Sequence, residues 1–254
     1  METLIDAHLH IHPMPSEAPA GDLFAPGAEG TGLLPFMDTA RIAKAHVHLL
    51  YEQNRVLPVP SSPRLVFSML IDFRRPDAEA AVAEAAARGY RGIKFLTFEQ
   101  KIMLADYPRV HAVARAAEQA GLFITICATH GGLEMFDVDP LRLAAFLLHQ
   151  GIQVPLVLAH AGGSRVREAM LLMDASKSVY LDTSFTTTFW KGSPVMPELR
   201  YVLERFPDRV MFGSDHPAVP FSTAVADARA MAEGVAPAVW EAYLHGNAEK
   251  FFFV

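Results

Sequence analysis

The stretch "IDAHLHIHP" places His8, His10 and His12 at alternate positions of an apolar run near the start of the chain. A β-strand points every second side chain to one face, so this spacing gathers imidazoles on one side. Later apolar runs end in the same residue types: "LFITICATHGG" carries His130, "VPLVLAHAGG" His160, and "RVMFGSDHP" Asp215 and His216. A single histidine at a strand end is ordinarily a hydrogen-bonded group and nothing more. Several strands delivering imidazoles and a carboxylate to one rim call for a common partner. Neutral imidazole nitrogens with one carboxylate oxygen suit Zn²⁺, Fe²⁺ or Mn²⁺, and such a set leaves one coordination position open to water. A divalent ion lowers the pKa of that water, and a nearby carboxylate can take its proton.

The elements that must position these groups read as an alternating series. Strand-like runs fall at 3–9, 45–50, 64–71, 91–96, 122–128, 154–159, 178–182 and 209–213, and helical patterns at 76–88, 108–120, 140–150, 164–174 and 197–206 lie between most of them. Gly89, Gly121 and Gly151 stand where helices should stop. Further helices are predicted near 33–43, 222–233 and 237–246. Strands alternating with helices over this length predict an α/β fold, a distorted single-domain (β/α)8 TIM barrel spanning 1–254, whose functional residues sit at the C-terminal ends of the strands. An open doubly wound sheet is the competitor, but His-Pro-Met-Pro follows the first strand where that fold usually carries a glycine-rich turn. "AKAHVHLLY" reads as the second strand or as a continuation of the preceding helix, and His46, His48, His111, His149 and His245 fall within elements rather than at strand ends. The Pro/Gly/Ala-rich stretch 13–32 reads as an active-site cover or a disordered excursion.

Composition narrows the function further. The chain has 254 residues, 51% hydrophobic and 20% charged, enough for one large core, and its net charge of −6 with no basic cluster argues against nucleic acid. No apolar run is long enough to span a bilayer, and Met-Glu-Thr leads into a strand without a basic leader, so a cytoplasmic protein without membrane partners is expected. Cys127 is the one cysteine, which excludes an intrachain disulfide and a thiolate zinc cluster; within its strand it reads as a small buried hydrophobe.

"DAHLHIHP", "RGIKF", "LVLAHAGG", "YLDTSF", "MFGSDHP" and "HGNAEKFF" together resemble the amidohydrolase superfamily, in particular its amidohydrolase-2 branch of metal-dependent hydrolases and related decarboxylases. The resemblance runs from residue 3 to residue 253. It implies that His8, His10 and His130 are metal ligands, that Asp215 touches the metal and handles the proton of its water, and that His160 is a second-metal ligand or a base and electrophile beside the substrate. It also implies a homodimer. Many members with two metals bridge them by a carboxylated lysine or a glutamate from strand 4; here that strand offers Lys94, which can instead pair with an acid or bind a substrate carboxylate. The decarboxylases of the branch are longer, with insertions this chain lacks.

Other residues carry two readings each. Asp182, closing "VYLDTSF", either holds a ring nitrogen of a ligand histidine or caps a turn. Arg74 and Arg75 follow strand 3 and can clamp a substrate carboxylate or simply face solvent. His216 should point away from Asp215 yet still line the pocket, a reading Ser214 shares; His12, before Pro13, leaves the strand. "SFTTTFWKGS" offers an apolar pocket wall or a subunit contact. The expectation is a metal-dependent hydrolase acting on an amide, ester or lactone of a small molecule, with one divalent ion, zinc first and manganese or iron next. A second metal requires a carboxylated Lys94. The alternative is a metal-dependent decarboxylase of an unsaturated or aromatic carboxylate.

Overall fold

The computed structural model describes residues 3–11, 32–50, 62–129 and 133–254. Strands and helices alternate from end to end. Strand β1 is Ile5–His10, followed by α1 Leu33–Ala40, β2 Lys44–Leu49, β3 Leu65–Leu70, α2 Ala78–Ala87, β4 Gly92–Leu96, α3 Tyr107–Gln119 and β5 Phe123–Cys127. The second half comprises α4 Pro140–His149, β6 Leu156–Ala159, α5 Val166–Ala175, β7 Val179–Asp182, a single turn α6 Thr186–Phe189, α7 Val195–Arg205 and β8 Val210–Met211. It closes with α8 Phe221–Met231, α9 Pro237–Glu241, a π-helical turn at Ala242–Gly246 and α10 Asn247–Phe252. The eight strands are parallel and lie side by side in chain order, a nearly closed TIM barrel in one domain.

Local chemistry sets the element ends. Helix α4 starts at Pro140 because the Asp139 carboxylate accepts a bond from the Arg142 amide, satisfying a free N–H of the first turn. Helix α1 stops at Ala40, short of the expected 43, because Arg41 turns left-handed at φ 60. Strand β8 is also shorter than expected. Beyond Met211 the chain runs on beside β1, close enough at Gly213 that a Cβ would lie 2.8 Å from His8 Cβ and 3.0 Å from Ser184 Cβ. Of the stretch read as a cover, residues 13–31 lie outside the described residues, as do His12 and His130. No helix among the described residues is long and apolar enough to cross a membrane.

The strands bury both faces, as parallel strands do. Outward residues such as Val47, Phe67, Ile93, Ile126, Leu158 and Leu181 join the main core against the helices. Inward residues form a second, smaller cluster at the barrel floor, where Ile5, Ala7, Val66, Phe123, Val157 and Met211 pack around Phe252 from α10. The chain's last helix therefore plugs the barrel from below. Above the floor the inward side chains turn polar: His8, His46, His48, Ser68, Lys94, Thr125 and Asp182 are all buried. In β1 the change is abrupt. Ile5 and Ala7 face the floor, Leu9 joins the outer core, and the register to β2 shifts between Asp6 and Leu9. That bulge switches the alternation and aims His8 and His10 into the barrel.

Candidate active site

Side chains from six strands meet at the C-terminal end of the barrel. They line a cavity of about 450 Å³ whose walls include His10, Lys94, Cys127, Thr129, His160 and Asp215, with Glu99 at its exposed edge. Leu50, Leu96, Ile11, Pro217 and Ala218 supply the apolar remainder. The size suits a small molecule, and a mostly apolar wall with a few convergent polar groups is the usual form of such a site.

His8, His10 and Asp215 form one compact group. Asp215 Oδ1 lies 3.5 Å from His8 Nε2 and 3.5 Å from His10 Nε2. Their candidate donor atoms all lie within 4.8 Å of one another, close enough to share one cation. Beneath them the Asp182 carboxylate takes the His8 Nδ1–H at 3.0 Å, which leaves the Nε2 lone pair facing the site. Asp182 thus sets the tautomer of a candidate ligand rather than capping a turn alone; its other oxygen accepts the amides of His160 at 3.2 Å and Ser184 at 3.1 Å, and the Ser184 hydroxyl. The lone pair of His8 Nε2 is engaged by Lys94 Nζ at 3.0 Å. A cation and this lysine compete for one nitrogen, so loading the site requires Lys94 to give way.

Burial controls the charge states. It drives the proton off His8 and His10, and the nearby Lys94 ammonium adds to the effect, so both imidazoles are neutral and fit to ligate. Burial likewise pushes the Lys94 ammonium down, against the pull of the surrounding acids. For Asp182 burial is outweighed by His8, His160 and Ser184, which hold the carboxyl far below its ordinary range. His160 is the exception among the imidazoles. Burial opposes its charge, but Cys127, Asp215 and Asp182 outweigh burial and lift it to about 9. It is therefore protonated at neutral pH, with Nδ1 held 3.0 Å from both the carbonyl and the hydroxyl oxygen of Ser184. Its backbone is left-handed at φ 59, as is that of Asp215 at φ 60, so two reactive side chains are carried on sparsely populated conformations.

The sequence-expected residues divide clearly. His8, His10, His160, Asp215, Lys94 and Asp182 converge. Arg74 does not: it donates to the carbonyls of Gln100 and Lys101 and pairs with Asp106 at 2.8 Å, which corrects the substrate-clamp reading. His216 leaves the cavity and stacks on Phe36 at 4.2 Å, lining an apolar groove between α1 and α8 instead. Cys127 is buried as expected of a small hydrophobe, yet it lines the cavity, and His160 and Lys94 lower its thiol pKa despite that burial. Ser184 was legible only as part of an aromatic loop, and its contacts to His160 and Asp182 place it in the site.

His48 corrects the reading that set it aside, whereas His46 stays outside the site as that reading had it. Both point into the barrel from β2, and the His48 ring lies 4.2 Å from His8 and 5.5 Å from His10. Neither His48 ring nitrogen meets a hydrogen-bond partner among the described residues. The signal was the period-two alternation of "KAHVHL", obscured by the rival helical reading of the same stretch.

The amidohydrolase family model matches residues 5–254. No curated protein sequence matches the chain. Among solved structures, a protein described as a 2-pyrone-4,6-dicarboxylic acid hydrolase from Pseudomonas putida superposes with a TM-score of 0.69 at 20% identity, covering 99% of this chain and 98% of that one. The 5-carboxyvanillate decarboxylase of Sphingomonas paucimobilis gives 0.69 at 16% identity, covering 100% of each chain. A TIM-barrel protein from Bordetella bronchiseptica gives 0.72 at 17%, covering 98% of each. At these identities the likeness establishes the barrel and not the reaction.

Proposed function

Because the chain belongs to the amidohydrolase family, we propose that it is a metal-dependent hydrolase that cleaves an ester, lactone or amide bond of a small molecule. One observation carries the reading: two imidazoles and a carboxylate lie close enough to share a cation, at a cavity lined by His10, Asp215 and His160. The donor set fits a divalent ion, with His8, His10 and Asp215 as its holders; His130 joins them on the family resemblance, and zinc suits the nitrogen-rich set best. When bound, such an ion supplies Lewis acidity toward a carbonyl and acidifies water.

The chain's own groups account for the remaining steps. Asp215 accepts the proton of the attacking water and returns it to the leaving oxygen or nitrogen. His160 donates a hydrogen bond to the oxyanion that develops on the carbonyl, a role that its protonated state at neutral pH suits. Asp182 keeps the His8 ring in the ligating tautomer. The apolar part of the wall lowers the local dielectric and strengthens each of these interactions.

A decarboxylase is the second reading, favoured by Lys94 Nζ in the cavity wall, where it can hold the carboxylate that leaves as CO₂. The site would then stabilise the electron pair left on carbon until a proton replaces the lost group. The experiment is elemental analysis of protein purified without chelator or nickel, followed by parallel assays of lactones, esters and amides for hydrolysis and of aromatic and unsaturated carboxylates for bicarbonate. One equivalent of metal with hydrolysis supports the first reading. Bicarbonate release without hydrolysis selects the second, and a chain that takes up no divalent metal overturns both.

A further inference from the structure

The candidate ligands straddle the join that closes the barrel. Strand β8 pairs with β7 through Leu181↔Val210 and Asp182↔Met211, and the chain after β8 returns to β1 at Leu9↔His216. Across that join run the backbone bonds Ala7 N–H to Phe212 O at 2.9 Å, Asp215 N–H to His8 O at 2.9 Å and His10 N–H to His216 O at 2.8 Å. His8 and His10 stand on one side and Asp215 on the other, so any slip along the join changes their separation directly.

We propose that Asp6 is the positioning residue of this site, a clasp that fixes His8 and His10 relative to Asp215. Asp6 is fully buried at the join, where its Oδ1 accepts the His8 amide at 3.0 Å and the Ser214 amide at 2.9 Å, and its Oδ2 the Ser214 hydroxyl at 2.5 Å. The Ser214 oxygen in turn accepts the His216 amide at 2.9 Å. One side chain thereby ties the β1 bulge to Ser214, whose hydroxyl oxygen holds His216 on the other side of Asp215. Its bond to the His8 amide holds the bulge that aims the two imidazoles inward. Its bonds to Ser214 hold the turn in which Asp215 sits left-handed at φ 60. No cation pairs with it among the described residues, so it is not one half of a salt bridge. Asparagine keeps the shape but offers one oxygen in place of two.

The test compares wild type with Asp6→Asn, Asp6→Ala and Ser214→Ala under one buffer condition. Amide hydrogen exchange of the metal-free proteins is read over residues 5–11 and 211–217, with β5 as an internal control. Zinc affinity is read by chelator competition. The clasp predicts that exchange across the join accelerates by about tenfold or more while β5 keeps its protection, and that zinc affinity falls by about 10–100-fold, as it does when groups supporting ligands are removed. Cobalt-substituted protein should show a shifted visible spectrum, and Asp6→Asn should recover part of what Asp6→Ala loses. Should Asp6→Ala fail to fold, Ser214→Ala carries the same prediction with a smaller cavity. Unchanged exchange at the join, loss of protection shared equally by β5, or a loosened join with wild-type zinc affinity each overturns the proposal. The zinc arm rests on the function proposed above; wild type that binds no zinc refutes that function, while the exchange arm still decides the clasp.

Discussion

Two His-x-His pairs stand on adjacent strands of this barrel, and their fates differ. His8 and His10 on β1 meet Asp215 and Asp182, whereas on β2 His46 meets Phe123 and Phe252 and His48 meets neighbouring imidazoles, with no carboxylate at hydrogen-bond range among the described residues. His46 is satisfied within the packed interior, by the Ala7 carbonyl at 3.0 Å and the Ser68 hydroxyl at 2.7 Å, and rests on Phe252 at 4.5 Å. Residue type, spacing and inward direction are the same in both pairs. The distinguishing element is the carboxylate, delivered from β7 and from the turn after β8. An imidazole pair becomes a candidate cation site when an acid at hydrogen-bond range fixes its tautomer and shares its charge.

Substitutions at the two pairs should therefore have different consequences, and the largest lies at β1. His10→Ala should reduce bound metal from about one equivalent to none and lower kcat/KM by at least about a thousandfold, since it removes a donor that holds the ion. Metal analysis and steady-state kinetics on the same preparation check this. Near-normal turnover in His10→Ala would erase the distinction between the pairs. One step smaller is Asp182→Asn, which keeps the shape but weakens the hold on the His8 ring. Zinc affinity should fall by about 10–100-fold with the fold intact, measured by chelator competition alongside circular dichroism.

Much of this contrast was visible before the structure. His8, His10, His160 and Asp215 stand at or near the ends of apolar runs, and a barrel puts all such ends on one rim. What the linear pattern lacks is direction within the barrel. Arg74 follows a strand as a functional residue would, but Asp106 and two backbone carbonyls claim its guanidinium. His48 precedes the end of its strand by one residue, and only the register His10↔His48 shows that it lies beside a candidate ligand. Asp6 reads as an ordinary polar residue of "IDAHLH" because its partner Ser214 is 208 residues away. Contacts set by tertiary closure leave no periodic trace.

The β2 pair should report on stability instead. His46→Leu removes one partner from the Ser68 hydroxyl and one from the Ala7 carbonyl, leaving buried polar atoms unsatisfied. Loss of stability by about 1–3 kcal/mol is expected, with zinc stoichiometry unchanged. Urea unfolding of the metal-free protein measures it. A His46→Leu variant that loses metal with no loss of stability would move His46 into the site and dissolve the comparison.

The finest distinction concerns pH. Burial holds the His46 imidazole at about 3 in the folded chain, against roughly 6.5 when unfolded. Between those values the unfolded chain binds a proton that the folded one refuses. The contribution of His46 to stability is thus complete above about pH 6.5 and declines as pH falls, by up to about 1.4 kcal/mol per pH unit. His160 behaves oppositely, since its folded value of about 9 gives stability that is complete below roughly 6.5 and lost as pH rises through 9. The two windows do not overlap, so the acid limb can be read without interference from His160. His8, His10 and His48, all shifted down, steepen that limb in the metal-free protein. In His46→Leu the slope of unfolding free energy between pH 6 and 4.5 should be shallower than in wild type by about one proton. Equal slopes would mean that His46 takes up its proton in the folded barrel, and that the floor beneath the site is wetter than the packing of Phe123 and Phe252 around its ring implies.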